Sequence, residues 1–197
     1  MANKNSFLEK DLEEILFSAP QSEIRKRGLR CYRYDSISQQ INLGAYGITD
    51  IVTIKNEGYR RIPGMRSIIV TIYELKHRNI NTEVLIQAAR YYKGISDFCN
   101  ENFNLKNTEI EYQICLIGST IDKSSGFVYL SDLFDNLSVY TFDYKIDGIQ
   151  FKEESGYSLI NPQFPKKLKT DIIFHIKRSI SEEKHLPDPL TIDDLPF

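Results

Sequence analysis

The sequence is poor in the residues that make functional assignment easy. Its 197 residues include no tryptophan, three cysteines and three histidines. Cys31, Cys99 and Cys115 form no C-x-x-C pair, and His77, His175 and His185 are widely dispersed, which argues against a zinc site built from cysteine and histidine. A sparse, odd set of cysteines suits a reducing compartment, so these thiols read as small core hydrophobes. No apolar run approaches the roughly 18 residues that a bilayer span needs. Met1 to Lys10 is charged and lacks the apolar segment of a secretory leader. The expectation is a cytoplasmic protein with no membrane partner. Neither G-x-S-x-G nor G-x-x-x-x-G-K-[ST] occurs, which removes the simplest serine hydrolases and P-loop enzymes. A formal net charge of -2 excludes a wholesale polycation, so nucleic acid would have to be met by local basic patches.

What is present is an ordinary globular balance, 41% apolar and 26% charged residues. "SFLEKDLEEILFSAP" places Phe7, Leu8, Leu12, Ile15 and Leu16 at helical spacing, with Ser6 and Glu9 as a candidate capping box and Pro20 as a stop. The chain then reads as a short basic helix or turn, a strand over Leu29 to Tyr34, a second over Ile48 to Lys55 and a third over Ser67 to Leu75. "NTEVLIQAARYYKGISDFCNEN" predicts a helix capped by Thr82, with an apolar stripe of Val84, Leu85, Ala88, Tyr92, Ile95 and Cys99. "IEYQICLIG" is a buried strand; "GFVYLSDL", "SVYTFDYKIDGIQF" and "GYSLIN" read as shorter strands with a turn near Asp147 and Gly148. A terminal helix in "KKLKTDIIFHIKRSISEEK" precedes a proline-punctuated tail. This order predicts a mixed α/β layer protein, with one domain over 1–160 and a terminal helix and tail over 161–197.

The third strand ends in two charges. Alternation puts Ile68, Val70, Ile72, Glu74 and Lys76 on one face and Ile69, Thr71, Tyr73 and Leu75 on the other. Both faces are largely apolar, as in an interior strand, so the charges lie at the rim of a buried sheet. If the second and third strands form an antiparallel hairpin, Asp50 falls opposite Glu74, with side-chain bases about 5 Å apart. Two ionised carboxylates at that separation repel by about 3 kcal/mol at an effective dielectric near 20. A hard divalent cation such as magnesium relieves that repulsion and keeps waters for chemistry. Lys76, about 6.6 Å along the strand from Glu74, stands where it can hold a water or a phosphate. A metal-free charge cluster of the same three residues is the competing reading.

Taken in order, "LEKDLEEIL", "GLR", "GITD", "YELK" and "QAARY" resemble the PD-(D/E)xK nuclease superfamily, and most closely its RecB-type and NucS-type branches with G-x-x-D, E-x-K and Q-x-x-x-Y signatures. The matching residues are Gly47 and Asp50, Glu74 and Lys76, and Gln87 and Tyr91, within a likeness that runs from Ser6 to Gly118. Thr49 replaces the proline of the nominal motif, and the segment between Asp50 and Glu74 is longer than in compact members.

The resemblance implies a restriction-endonuclease-like mixed sheet flanked by helices, here with a β-rich C-terminal extension, and a Mg2+- or Mn2+-dependent DNA endonuclease. It implies that Asp50, Glu74 and the Leu75 carbonyl bind the metal, that Lys76 serves the nucleophilic water, and that Glu9 of the first helix, or Glu13 one turn on, adds an acid. Gln87 and Tyr91 share a helix face, which the resemblance places beside the active site. Their alternative is an ordinary amphipathic helix, and that of Glu9 is the capping box. Arg30, Arg33 and Arg78, within basic clusters that also include Arg60, Arg61 and Arg66, are candidates for phosphate contact or for a solvated surface. Further expectations are DNA as partner, a homodimer, and a protein partner for the C-terminal region. A binding or assembly module without turnover and an RNA-directed nuclease are the functional alternatives.

Overall fold

In a computed structural model, the described residues are 8–58, 64–131 and 133–154. The terminal helix, the tail, "GYSLIN", Ser6, Arg60 and Arg61 lie outside them.

Two short helices open the chain, α1 (Glu9–Ser18) and α2 (Gln21–Lys26). Leu12 and Leu16 of α1 are fully buried, as their spacing predicts. The capping differs from expectation: Glu9 begins the helix, and it is the Asp11 carboxylate that accepts the Leu8 N–H at 2.7 Å. Glu9 is thereby left available for other partners. Leu29 to Tyr34 is not a strand but a run of turns. Its burial pattern explains the misreading, because Leu29 and Tyr32 plug the core while Arg30 and Arg33 stay exposed. Three-residue apolar spacing followed by tight backbone turns is not strand periodicity.

The sheet has six strands in the order β1 (Ser36–Gln39), β2 (Ile51–Gly58), β3 (Arg66–Leu75), β5 (Thr108–Gly118), β7 (Leu137–Lys145) and β8 (Gly148–Glu154). The sheet is mixed: β1, β2 and β3 pair antiparallel, β3, β5 and β7 run parallel, and β7 and β8 close an antiparallel hairpin. The α-helix α3 (Thr82–Asn102) makes the crossover from β3 to β5, and α4 (Phe127–Ser131) lies between β5 and β7. A separate two-stranded parallel sheet joins β4 (Asn79–Ile80) to β6 (Thr120–Ile121). The segment "GFVYLSDL" therefore starts as a helix rather than a strand, and β7 and β8 extend the main sheet on its C-terminal side. The turn at Asp147 and Gly148 stands where the sequence puts it.

Both sheet faces are covered. Tyr73, Leu75, Cys115, Ile117, Tyr140 and Phe142 pack against Leu12, Leu16, Ile24, Leu29 and Tyr32. On the other face, Val70, Ile72, Ile114, Leu116 and Val139 meet α3 through Val84, Leu85, Ala88, Tyr91 and Ile95. The cap of α3 is Asn81, whose side chain accepts the Val84 N–H at 3.1 Å, whereas Thr82 donates to the Ser125 carbonyl at 2.5 Å. Asn81→Ala should cost about 1 kcal/mol, read as a lowered urea midpoint with an unchanged slope. An unaltered midpoint would show that the cap contributes nothing.

Candidate active site

The parallel pair β3/β5 ends where open α/β sheets commonly hold their ligands, at the carboxyl ends of the strands. Glu74 and Lys76 come at that end of β3. Asp50 reaches it from the antiparallel side: the register pairs Ile51 with Tyr73 and Val52 with Ile72, so one step further sets Asp50 across from Glu74. Strand β2 starts later than predicted, at Ile51, and Asp50 stands just before it. Its carboxylate accepts the backbone N–H of Leu75 at 2.7 Å, so the two acidic motifs are joined directly.

Glu74 is fully buried, an uncommon position for a carboxylate. One oxygen accepts from the Lys76 ammonium at 2.6 Å; the other, Oε2, is buried with no hydrogen-bond partner. Burial, then the charge of Asp50, pushes the Glu74 pKa up to about 8. Burial likewise raises Asp50 to about 6, against the opposing effects of the Leu75 N–H and Lys76. Burial disfavours the Lys76 ammonium, but Glu74, Glu9 and Asp50 together outweigh it and its pKa is raised. Glu9 lies 3.6 Å from Lys76 Nζ. Of the two helix-one acids it is the one that meets Lys76, whereas Glu13 accepts from the Gln40 amide at 2.8 and 2.9 Å; both raise the Asp50 pKa. Both acids line an open groove of about 930 Å3 that Lys10, Phe17, Gln39 and Asp50 also border.

Gln87 and Tyr91 face this same end. The Gln87 amide donates to the Tyr91 hydroxyl at 2.6 Å, and burial raises the phenol's pKa, with Glu74 and Asp50 adding to it. Tyr91 also explains Gly47. That glycine has φ +110°, and a Cβ there would come 2.8 Å from the ring carbon Cε1. The backbone leading to Asp50 therefore rests directly on the tyrosine. Sequence reasoning missed the support beneath it: the Tyr46 hydroxyl donates to Asp97 of α3 at 2.7 Å, and the buried Thr49 hydroxyl accepts the Ile41 N–H at 3.2 Å. Tyr46 carries no motif signal, and Thr49 stands where the nominal motif has proline.

The basic candidates lie elsewhere. Arg30 and Arg33 line a separate shallow cleft of about 490 Å3 with Ser22, Arg25 and Lys26. Arg78 is exposed, and its carbonyl accepts the Ser119 N–H at 2.9 Å.

The donors fit a hard divalent cation in one respect and not in another. A buried, unpartnered carboxylate oxygen beside a second carboxylate of raised pKa is the chemistry such an ion satisfies. Among the described residues, however, no group of three or more His, Cys, Asp or Glu side chains is gathered as for a bound metal. Lys76 occupies the position between Glu74 and Glu9 instead.

The raised carboxyl values set a pH dependence. With pKa values above those of the unfolded chain, folded Asp50 and Glu74 hold protons that the unfolded state has released, so stability falls as pH rises. Without metal, stability should drop between about pH 4 and 6 through Asp50 and between about pH 4.5 and 8 through Glu74, by up to about 1.4 kcal/mol per pH unit for each group. Asp97, Asp122 and Glu154 have lowered pKa values and act in the opposite sense at more acid pH. Urea titrations in EDTA at pH 5, 6.5 and 8 test this; a profile that is flat, or the same in Glu74→Gln, would refute it.

Among the described residues no helix is long and apolar enough to cross a membrane. No family model, curated protein or solved structure matches the chain.

Proposed function

We propose that this chain is a metal-dependent DNA endonuclease with a restriction-endonuclease-like core. Asp50, Glu74 and the Leu75 carbonyl would hold magnesium or manganese, with Glu9 as a further acid. The observation that carries the reading is the fully buried Glu74, one oxygen unpartnered, set beside Asp50 with Lys76 at the end of β3. A structural ion pair would leave no such oxygen unsatisfied, because an unpaired buried carboxylate oxygen costs folding free energy without return. The order Asp50, Glu74, Lys76, Gln87, Tyr91 on these elements supports the same reading.

When bound, the divalent cation would neutralise the two carboxylates, polarise a phosphoryl oxygen and acidify the attacking water. The chain's own groups divide the remaining work. Asp50, anchored by the Leu75 N–H, keeps its second oxygen for a ligand. Lys76 Nζ, shared between Glu74 and Glu9, would turn to the non-bridging oxygen of the phosphodiester and stabilise the charge that grows there. Because the Tyr91 hydroxyl accepts from Gln87, its own proton remains available as a donor on the substrate side. Arg30, Arg33 and Arg78 would contact the phosphate backbone away from the reacting bond.

The seating of Lys76 between two acids favours a second reading, a nucleic-acid-binding or assembly module that does not turn over. Incubation with circular and linear, single- and double-stranded DNA and with RNA, in magnesium, manganese or EDTA, separates the two. Nicked circles that appear with metal and vanish in EDTA are the expected result. Preference for RNA would shift the substrate class, and binding without cleavage of any substrate would select the module.

A further inference from the structure

Cys31 and Cys115 are 84 positions apart in sequence, yet their sulfur atoms lie 3.7 Å from each other. They belong to very different surroundings. Cys115 is in the middle of the six-stranded sheet and 1% exposed, paired across β3/β5 with Tyr73. Cys31 is half-buried in the turn segment between α2 and β1, which is neither helix nor strand. A disulfide needs its sulfurs about 2.05 Å apart, so closing the gap takes a shift of under about 2 Å. The turn segment can supply that shift; the sheet cannot.

We propose that Cys31 and Cys115 are an oxidative modification site, forming a reversible intramolecular disulfide when the protein meets a hydroperoxide. Exposure divides the roles. The Cys31 sulfur, on the less buried of the two residues, attacks the peroxide oxygen; the O–O bond breaks, leaving a sulfenic acid at Cys31 and one molecule of water or alcohol. The Cys115 sulfur then attacks the Cys31 sulfur. The S–O bond breaks, and the departing hydroxide takes the Cys115 proton as a second water. Two thiols have been oxidised by two electrons and one peroxide reduced by two.

The surroundings favour this order. The contact with Cys115 lowers the Cys31 thiol pKa, despite the opposing effect of burial, while burial raises that of Cys115. The thiol with the lowered pKa thus belongs to the less buried residue, the one better placed for peroxide attack. Cys99 packs on the opposite face of the sheet, against Val70 and Ile95, and has no part in the pair. The product would tether the turn that carries Arg30 and Arg33 to β5. None of this depends on the nuclease reading.

The native full-length protein is treated with hydrogen peroxide, quenched, denatured and counted for thiols with a maleimide. A fall from three thiols to one, a tryptic map joining the Cys31 and Cys115 peptides, and recovery with dithiothreitol are expected. Cys115→Ser should stop at a Cys31 sulfenic acid that dimedone traps, and Cys31→Ser should keep both of its thiols. Survival of all three thiols, a link through Cys99, or a link between two chains would overturn the proposal. The wild-type map decides even where a variant fails to fold.

Discussion

Asp50→Asn and Lys76→Met should each lower metal-dependent cleavage by about 10²- to 10⁴-fold while leaving a folded protein. Asparagine keeps an oxygen that can accept the Leu75 N–H, so the local geometry at 2.7 Å survives and only the charge is lost. Methionine keeps most of the aliphatic stem of Lys76 but removes the ammonium that meets Glu74 and Glu9. Glu74 is then left without its one hydrogen-bond partner. Lys76 is also the group that holds the Glu74 pKa down against burial and the charge of Asp50, so its loss would raise that pKa further and weaken the carboxylate as a cation ligand. Cleavage assayed with circular dichroism on the same samples checks this. Equal activity in wild type and both variants would reject the site. Glu9→Gln should impair cleavage more than Glu13→Gln, because Glu13 is engaged with Gln40 rather than Lys76.

Gly28→Ala should be the most damaging single-methyl change in the fold, costing more than about 3 kcal/mol. Gly28 has φ +107°, and a Cβ there would stand 2.1 Å from the Phe151 carbonyl oxygen, a backbone atom that cannot rotate away. The contact is close because the chain after α2 docks on the outer edge of β8. The Phe151 N–H donates to the Arg27 carbonyl at 2.7 Å, and Arg27 donates from its guanidinium to the Asp147 and Ile149 carbonyls. Among the described residues β8 is an edge strand of the sheet, and Arg27 and Gly28 cover part of that edge. Gly44 is the control: φ is +63° but nothing lies within 4 Å, so alanine there should cost only the left-handed backbone penalty of about 1–2 kcal/mol. Comparable urea midpoints for the two variants would refute the clash.

The motif-bearing elements were the legible part. Strand β3 and helix α3 fall within a residue or two of their sequence reading because one is an unbroken run of strand-forming apolar residues and the other carries an apolar stripe of period 3.6. The hairpin register was legible from the sequence position of the turn between the two strands, which sets Asp50 opposite Glu74. The segments that misled are short. Leu29 to Tyr34 and "GFVYLSDL" contain strand-forming residues in runs too brief for periodicity to decide, and tertiary contacts settled them as turns and a helix. The cap residues were misassigned by one or two positions, because Ser, Thr, Asn and Asp all serve and only the backbone geometry selects among them.

By itself the sequence determined the mixed α/β class, the covered central strands and the face that Glu74 shares with Lys76, because alternation and helical spacing are properties of neighbours along the chain. The tertiary structure alone decided that Asp50 is anchored to Leu75, that Glu9 rather than Glu13 meets Lys76, that Gly47 rests on Tyr91, and that Cys31 touches Cys115. Each of those contacts joins segments far apart in sequence, and no local periodicity encodes the distance between them.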